Sequence, residues 1–376
     1  MTNYPPRSTI YLLKIGVEYC RLPKDFPDGA MSERVRRYQT VGILFLTGIR
    51  SKTMKKYIFD TDIGADCDDV VALRYLLGKK NDGECEIKAI TLCTARKYAS
   101  AATFALIDEC DCGDIPIGEY KGAPLPCDAV DNYAEVIAGG KTHATQNGVK
   151  TQNGTKTYDA VKLMRKTLAE NDKIDIICVG PSCNVAGLMN SLADEFSDKN
   201  GVELVKEKVG KLYIMGGAFE FGAGEKPFAE WNVEQDIPSA KKTFGEFPCE
   251  VIIVPSEVGA RVATFAGSTR GLTRKAMETF FGSADRQNGL KYDEKPERTR
   301  PSWDPLTCMV ALEEDKYNYS ENGEVIVSDS GLTEFKKSVS KRGESEKNES
   351  KKCRYMSINN DFLKIEKELN DYLKTL

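Results

Sequence analysis

From residue 56 onward, short apolar runs alternate with segments whose apolar positions recur at helical spacing. Tyr57–Phe59 reads as a strand, followed by an acid-rich loop and a helix from about Asp68 to Leu77. Ile87–Cys93 is strand-like, Ala99–Asp111 helical and Ile115–Ile117 strand-like again. Asp159–Glu170 has Val161, Leu163 and Leu168 on or near one helical face; a strand at Ile174–Val179 and a helix at Asn184–Leu192 follow. Lys211–Met215, Ser239–Phe244 and Glu250–Val254 continue as strand, helix and strand. This alternation predicts βαβ units, hence an α/β fold with an open, mainly parallel sheet flanked by helices. In such sheets a ligand binds beyond the carboxyl ends of the strands.

Two stretches interrupt the pattern. Residues 145–155 carry the near-duplicates Thr-Gln-Asn-Gly-Val-Lys and Thr-Gln-Asn-Gly-Thr-Lys, and their Asn-Gly pairs predict a surface loop. Residues 336–352 are rich in Lys, Ser and Glu and predict a solvated loop. Beyond them, Phe362, Ile365, Leu369, Tyr372 and Leu376 fit a C-terminal amphipathic helix packed against the domain.

The first 53 residues differ from the rest. Met31–Arg37 is basic, and the mostly apolar Val41–Ile49 is too short to span a bilayer. No small-residue cleavage pattern follows it. The division expected is an N-terminal extension over 1–53 and a catalytic domain over 54–376. No stretch approaches transmembrane length, so the expectation is a cytoplasmic protein with no membrane partner.

Composition narrows the classes further. The chain has 376 residues, 41% hydrophobic and 29% charged, enough for a large core. Its net charge of −4, without a basic block, argues against a nucleic-acid partner. The twelve cysteines include no CxxC, and the nearest pair, Cys110 and Cys112, does not match a zinc knuckle. Cys85, Cys93 and Cys178 lie in apolar runs and read as small buried hydrophobes of a reducing compartment.

The segment that carries chemistry is Asp60-Thr-Asp-Ile-Gly-Ala-Asp-Cys-Asp-Asp69, five carboxylates within ten residues, directly after a strand. Crowded carboxylates repel strongly at low dielectric, and a cation relieves that repulsion. Several hard oxygen donors suit calcium or magnesium rather than zinc. The helix starting near Asp68 presents its positive end to the same loop, and Gly64 permits a tight turn. A helix N-cap on a solvated loop accounts for one or two acids but poorly for five. Asp60-Thr-Asp62 after a strand also fits the nucleophile motif of haloacid dehalogenase-type phosphatases, although Gly64 stands where that family has Thr or Val.

With its sequel Val-Val-Ala-Leu, the cluster resembles the opening motif of inosine–uridine-type nucleoside hydrolases, D-x-D-P-G-x-D-D. Ile63 replaces the Pro, and two residues are added before the final Asp pair. Further blocks follow in family order. Val179-Gly-Pro-Ser-Cys-Asn184 is similar to T-G-P-L-T-N, Ile214-Met-Gly-Gly217 to the M-G-G turn, Ala229-Glu-Trp-Asn232 to A-E-F-N, and Trp303-Asp-Pro305 to H-D-P. The resemblance spans roughly residues 54–376.

It implies hydrolysis of the N-ribosidic bond of purine or pyrimidine ribonucleosides, with Ca2+ as cofactor and a homo-oligomer, dimer or tetramer, as the assembly. Asp62, Asp69 and Asp304 would ligate calcium through carboxylates and Val179 through its backbone carbonyl. Asp68 would hold the ribose 2′-hydroxyl, and Glu230 and Asn232 the 3′ and 5′ side. Asp62, next to the bound water, is the expected general base. Asp60 is expected to support the ligands from behind, and the role of Asp66 stays open because the insertion blurs the register.

Base recognition departs from the pattern. Trp303 replaces the histidine that protonates the leaving base and defines a Trp-Asp variant; it is read as a stacking surface for the base or as a core aromatic. Ala95, Arg96 and Lys97 occupy the neighbourhood of a substrate Asn, and residues 222–224 lack another. His143, the only histidine, reads as an exposed loop residue. Gly140-Lys-Thr142 is not a P-loop, since Glu135 stands where the first Gly is required. Two alternatives remain at this point: the phosphatase, and a catalytically weak protein that binds metal and ribose.

Overall fold

The computed structural model describes residues 54–141, 151–152, 155–289, 297–338 and 353–376. The readings of 1–53, His143, the first part of the 145–155 repeat and most of 336–352 lie outside the described residues. The first half of the chain runs β1 (Lys55–Thr61), α1 (Asp68–Asn81), β2 (Cys85–Leu92), α2 (Ala99–Glu109), β3 (Ile117–Glu119), α3 (Ala134–Ile137), β4 (Thr151–Gln152), β5 (Thr155–Asp159) and α4 (Ala160–Ala169). It continues through β6 (Ile174–Cys178), α5 (Cys183–Asn190), α6 (Gly201–Lys208), β7 (Val209–Met215), α7 (Trp231–Gln235), α8 (Ile237–Glu246), β8 (Glu250–Val254), α9 (Ser256–Gly259) and β9 (Ala263–Phe265). The last part holds α10 (Gly271–Gln287), β10 (Thr299–Pro301), α11 (Trp303–Glu313), β11 (Gly323–Val327), β12 (Thr333–Lys337), β13 (Cys353–Tyr355) and α12 (Phe362–Leu373).

The main sheet has the order β12-β11-β13-β8-β7-β6-β1-β2-β3-β5-β4. Its interior pairings, from β13 across to β5, are all parallel. Antiparallel pairs close both edges. The predicted open, mainly parallel α/β sheet is therefore the fold observed. Tyr57, Ile58 and Phe59 are fully buried, as a strand covered on both faces requires. Alternation sends Tyr57 and Phe59 into one core layer, with Val70, Leu73 and Leu77 of α1 and Leu306 of α11. Ile58 enters the opposite layer, with Leu163 and Leu168 of α4 and Leu188 of α5.

The chain leaves β1 toward β2 and β3, then returns to place β6, β7 and β8 on the other side. The order therefore reverses between β1 and β6, which opens a crevice at their carboxyl ends. Asp60 marks it, in register with Thr91 of β2 and Cys178 of β6.

Two expectations need correction. The described part of the Asn-Gly repeat is not loop: Thr151 pairs with Lys156 and Gln152 with Thr155. The reason is tertiary, because β5 extends the parallel sheet, Thr157 beside Ile117. The loop expected from 336 begins later, since Lys336 and Lys337 still pair with Glu324 and Gly323. The C-terminal helix is observed, with Ile365 and Leu369 buried and Leu376 filling the space left by Gly78. Cys85, Cys93 and Cys178 are buried and free. Among the described residues, no helix is long and apolar enough to cross a membrane.

Candidate active site

A cavity of about 480 Å³ opens at the crevice between β1 and β6. Asp68 and Asp69 reach it from the first turn of α1, and Asp304 from the first turn of α11. Two helix N-termini thus converge on the same acids, and their positive ends favour negative charge there. The three carboxylates are buried, with one oxygen of each within 4.8 Å of the others. Asp304 donates its backbone N–H to Asp68 Oδ2 at 3.1 Å, and Thr61 donates its hydroxyl to Asp69. Burial, and after it the neighbouring acids, push Asp68, Asp69 and Asp304 well above the usual carboxylate range. Such a trio holds protons or a cation, and its all-oxygen donor set fits calcium or magnesium.

Asp62 lines the same cavity but is not part of the trio. The buried Arg96 contacts it from outside the cavity lining. Arg96 Nη1 lies 3.4 Å from Asp62 Oδ2 and also donates to the Asp62 carbonyl, while Nε and Nη2 take the carbonyls of Val130 and Cys127. Burial raises Asp62 above the usual range, and the guanidinium offsets part of that rise. Two glycines make room for this arrangement. Gly64 has φ +128°, and a Cβ there would lie 2.8 Å from Arg96 Cδ; a Cβ on Gly180 would lie 2.5 Å from Asp62 Oδ1.

The other two acids of the cluster, Asp60 and Asp66, are held by partners of their own, and only Asp66 reaches the cavity lining. Asp60 is fully buried and absent from the cavity lining. Its Oδ1 accepts from Thr91 at 2.6 Å and Asn184 at 2.8 Å, and its Oδ2 from the Cys178 thiol at 3.6 Å, which ties together three strand ends. Burial pushes it up to about 7. A phosphatase nucleophile has to face substrate, so the haloacid dehalogenase reading of Asp60 is set aside. Asp66 pairs with Arg300, whose Nε lies 2.9 Å from Oδ1. The insertion around it is braced by Tyr133, whose hydroxyl accepts from Gly64 N and donates to the Asp66 carbonyl.

On the far wall, Glu230 caps α7 by accepting from Asn232 N and Val233 N, and also takes Gly217 N at 3.2 Å. Burial pushes Glu230 up to about 7, against these hydrogen bonds. Asn232 donates from Nδ2 to the Val179 carbonyl at 3.0 Å and to the Met215 carbonyl at 3.5 Å, which joins the ends of β6 and β7 across the site. The M-G-G and A-E-W-N blocks are therefore one hydrogen-bonded unit. Trp303 is half-buried. Its indole N–H donates to the Ser256 carbonyl at 2.9 Å, and a Cβ on Gly259 would lie 2.2 Å from its Cδ1. It is both a packed aromatic and part of the cavity wall.

The structure thus gathers Asp62, Asp68, Asp69, Val179, Glu230, Asn232, Trp303 and Asp304 around one cavity. Sequence reasoning missed Arg300, Phe228, Val130 and Asn132, which line it as well, and noted Arg96 only as a replacement. The one local signal was Phe228, directly before the A-E-W-N block.

Residues 57–364 match the family described as inosine-uridine preferring nucleoside hydrolase. A probable uridine nucleosidase 2 of Arabidopsis thaliana is 24% identical over 292 residues, covering 74% of this chain and 84% of that protein. A plant nucleoside hydrolase structure superposes with a TM-score of 0.62 at 20% identity, covering 86% of this chain and 99% of the other. The inosine-uridine preferring nucleoside hydrolase of Bacillus anthracis superposes with a TM-score of 0.56 at 18% identity, over 86% of this chain and 100% of the other.

Proposed function

The chain belongs to the inosine-uridine preferring nucleoside hydrolase family, a family of glycosidases, and from that membership we propose that it hydrolyses the N-glycosidic bond of ribonucleosides to ribose and free base. The observation that carries the proposal is the buried trio Asp68, Asp69 and Asp304 beside Asp62, at the reversal of the sheet.

In this reading Asp62, Asp69, Asp304 and the Val179 carbonyl would hold a calcium ion. Asp68 stands close enough to its neighbours to share in that set as well as to bind the ribose 2′-hydroxyl. A bound calcium would orient the ribose diol and lower the pKa of a water. Asp62 takes a proton from the attacking water. Asp68, Glu230 and Asn232 orient the ribose hydroxyls. As the C1′–N bond opens, positive charge grows on the ribose, and the surrounding carboxylates stabilise it. Trp303 offers a flat wall to the base, in place of a proton donor. A homo-oligomer belongs to the same reading.

The test is ribose release from a nucleoside panel, with and without a chelator. Chelator-sensitive release supports the proposal. The absence of release from every N-riboside, together with calcium-dependent ribose binding, would replace it with a binding protein.

A further inference from the structure

A second cluster of reactive side chains lies where α2 ends. The helix closes on Cys110, whose N–H donates to the Leu106 carbonyl at 3.1 Å, and the Cys112 N–H reaches back to the Ile107 carbonyl at 3.2 Å. Asp111 between them has φ +50°, the only positive φ at a non-glycine among the described residues. L side chains rarely adopt that conformation, and short Asp is among the few that tolerate it. Two residues in an extended chain span about 7 Å, beyond the Cα separation of about 4.4–6.8 Å that suits a disulfide. The left-handed residue folds its neighbours back, and the two thiols share a hydrogen bond.

Helix α1 supplies the surroundings. Arg74 donates from Nη1 to Cys110 Sγ, and Lys80 from Nζ to the Cys112 carbonyl at 2.9 Å. Asn81 donates to the Cys110 carbonyl at 2.8 Å, and its Oδ1 lies 3.3 Å from Cys112 Sγ. The hydrogen bond from Cys110, aided by Lys80, Asn81 and Arg74, pushes Cys112 down to about 7 against its burial; the same hydrogen bond pushes Cys110 up. A thiolate beside cations is the reactive form of cysteine. Half-buried Cys110 opens the pair to solvent, and among the described cysteines only Cys249 is otherwise not buried. Cys249 donates to the Val205 and Val209 carbonyls at 3.5 Å, and burial pushes its thiol up.

We propose that Cys110 and Cys112 form a redox-active dithiol, which a hydroperoxide converts to an intramolecular disulfide. The inference stands apart from the hydrolase reading. The Cys112 thiolate attacks one peroxide oxygen and the O–O bond breaks. Sulfur is oxidised to the sulfenic acid, and the other oxygen leaves as an anion that takes a proton from solvent. Cys110 sulfur then attacks the sulfenic sulfur. The S–S bond forms, the S–O bond breaks, and the departing hydroxide leaves as water with the Cys110 proton. Two thiols and one hydrogen peroxide thus give one disulfide and two waters.

The experiment uses the full chain with Cys20→Ser, so that the cysteine of the N-terminal segment does not contribute. The reduced protein is exposed to one equivalent of hydrogen peroxide near neutral pH, denatured, alkylated and digested with trypsin for mass spectrometry. The peptide 98–121 carries both thiols and no other cysteine. It is expected to lose two hydrogens and escape alkylation, reversibly with dithiothreitol, about tenfold faster than Cys249 reacts; the larger thiolate fraction sets that ratio, less the lower nucleophilicity of a more acidic thiol. Cys110→Ser should stop at a sulfenic acid on Cys112 that dimedone traps, because the resolving thiol is gone. A pair still fully alkylated after peroxide, a rate no greater than that of Cys249, a disulfide between two chains, or no dimedone adduct in Cys110→Ser overturns the proposal.

Discussion

The floor of the cavity and its rim are built from different materials. The floor consists of Asp62, Asp68, Asp69, Asp304, Glu230 and Asn232, all buried and delivered by strand ends and helix N-termini. The rim consists of Phe228, Trp231 and Glu234, exposed and carried by a loop and the five-residue α7. A floor residue is fixed by backbone that the sheet itself holds, so its side chain is pre-aimed and its removal is felt by both fold and chemistry. Phe228 sits on a loop, its ring in edge-on contact with Phe221 at 6.0 Å. Loops of this kind vary without cost to the core, and selectivity can change there while the reaction is kept. Trp303 belongs to both regions, packed on Gly259 yet lining the cavity.

This contrast can be broken most directly at Asp62. Asp62→Asn is expected to lower kcat by about 10³-fold, the size of a general-base contribution, while circular dichroism stays native. Retention of full activity would remove Asp62 from the mechanism. Arg96→Met should act on stability instead. It strips the partner from a buried carboxylate and frees three loop carbonyls, and a loss of about 3–5 kcal/mol is expected from denaturant unfolding. At the rim the pattern should invert. Phe228→Ala is expected to change stability by no more than about 0.5 kcal/mol and to raise KM by up to about tenfold, as loss of one aromatic contact implies. A fall in kcat alone would place Phe228 in the chemistry and dissolve the contrast.

The smallest effect concerns pH. Glu230 is raised to about 7 by burial, above its value in the unfolded chain. The folded state therefore holds a proton that the unfolded state has already lost, and stability falls as pH rises from about 4.5 through 7. In chelator, the melting temperature should decline over that window, and Glu230→Gln should flatten the decline. An unchanged slope would mean that Glu230 is ionised throughout.

The order of strands and helices was legible because period-two and helical patterning are local, and every predicted element from β1 to β8 lies within a few residues of an observed one. The floor was legible as well, since its residues come in short blocks at strand ends. Less visible were α10, whose Lys, Arg and Glu dilute its apolar face, and the β11–β12 hairpin, although Val325 and Val327 alternate with exposed Glu324 and Ile326. Arg300 carried no local mark, because its meaning depends on Asp66, 234 residues away.

By itself the sequence determined an acid-rich loop after the first strand, a parallel α/β frame and the blocks that return to that loop, since each depends on residue type and spacing along a few turns of chain. Only the tertiary structure decided which of the five clustered acids face the cavity. Side-chain direction at a strand end depends on what the neighbouring strands offer. Thr91, Cys178 and Asn184 hold Asp60 in the sheet, Arg300 pairs with Asp66 on the cavity wall, and α11 brings Asp304 to Asp68 and Asp69. A run of like charges is one feature in a sequence, but burial and long-range partners separate it into support, ion pair and candidate metal site.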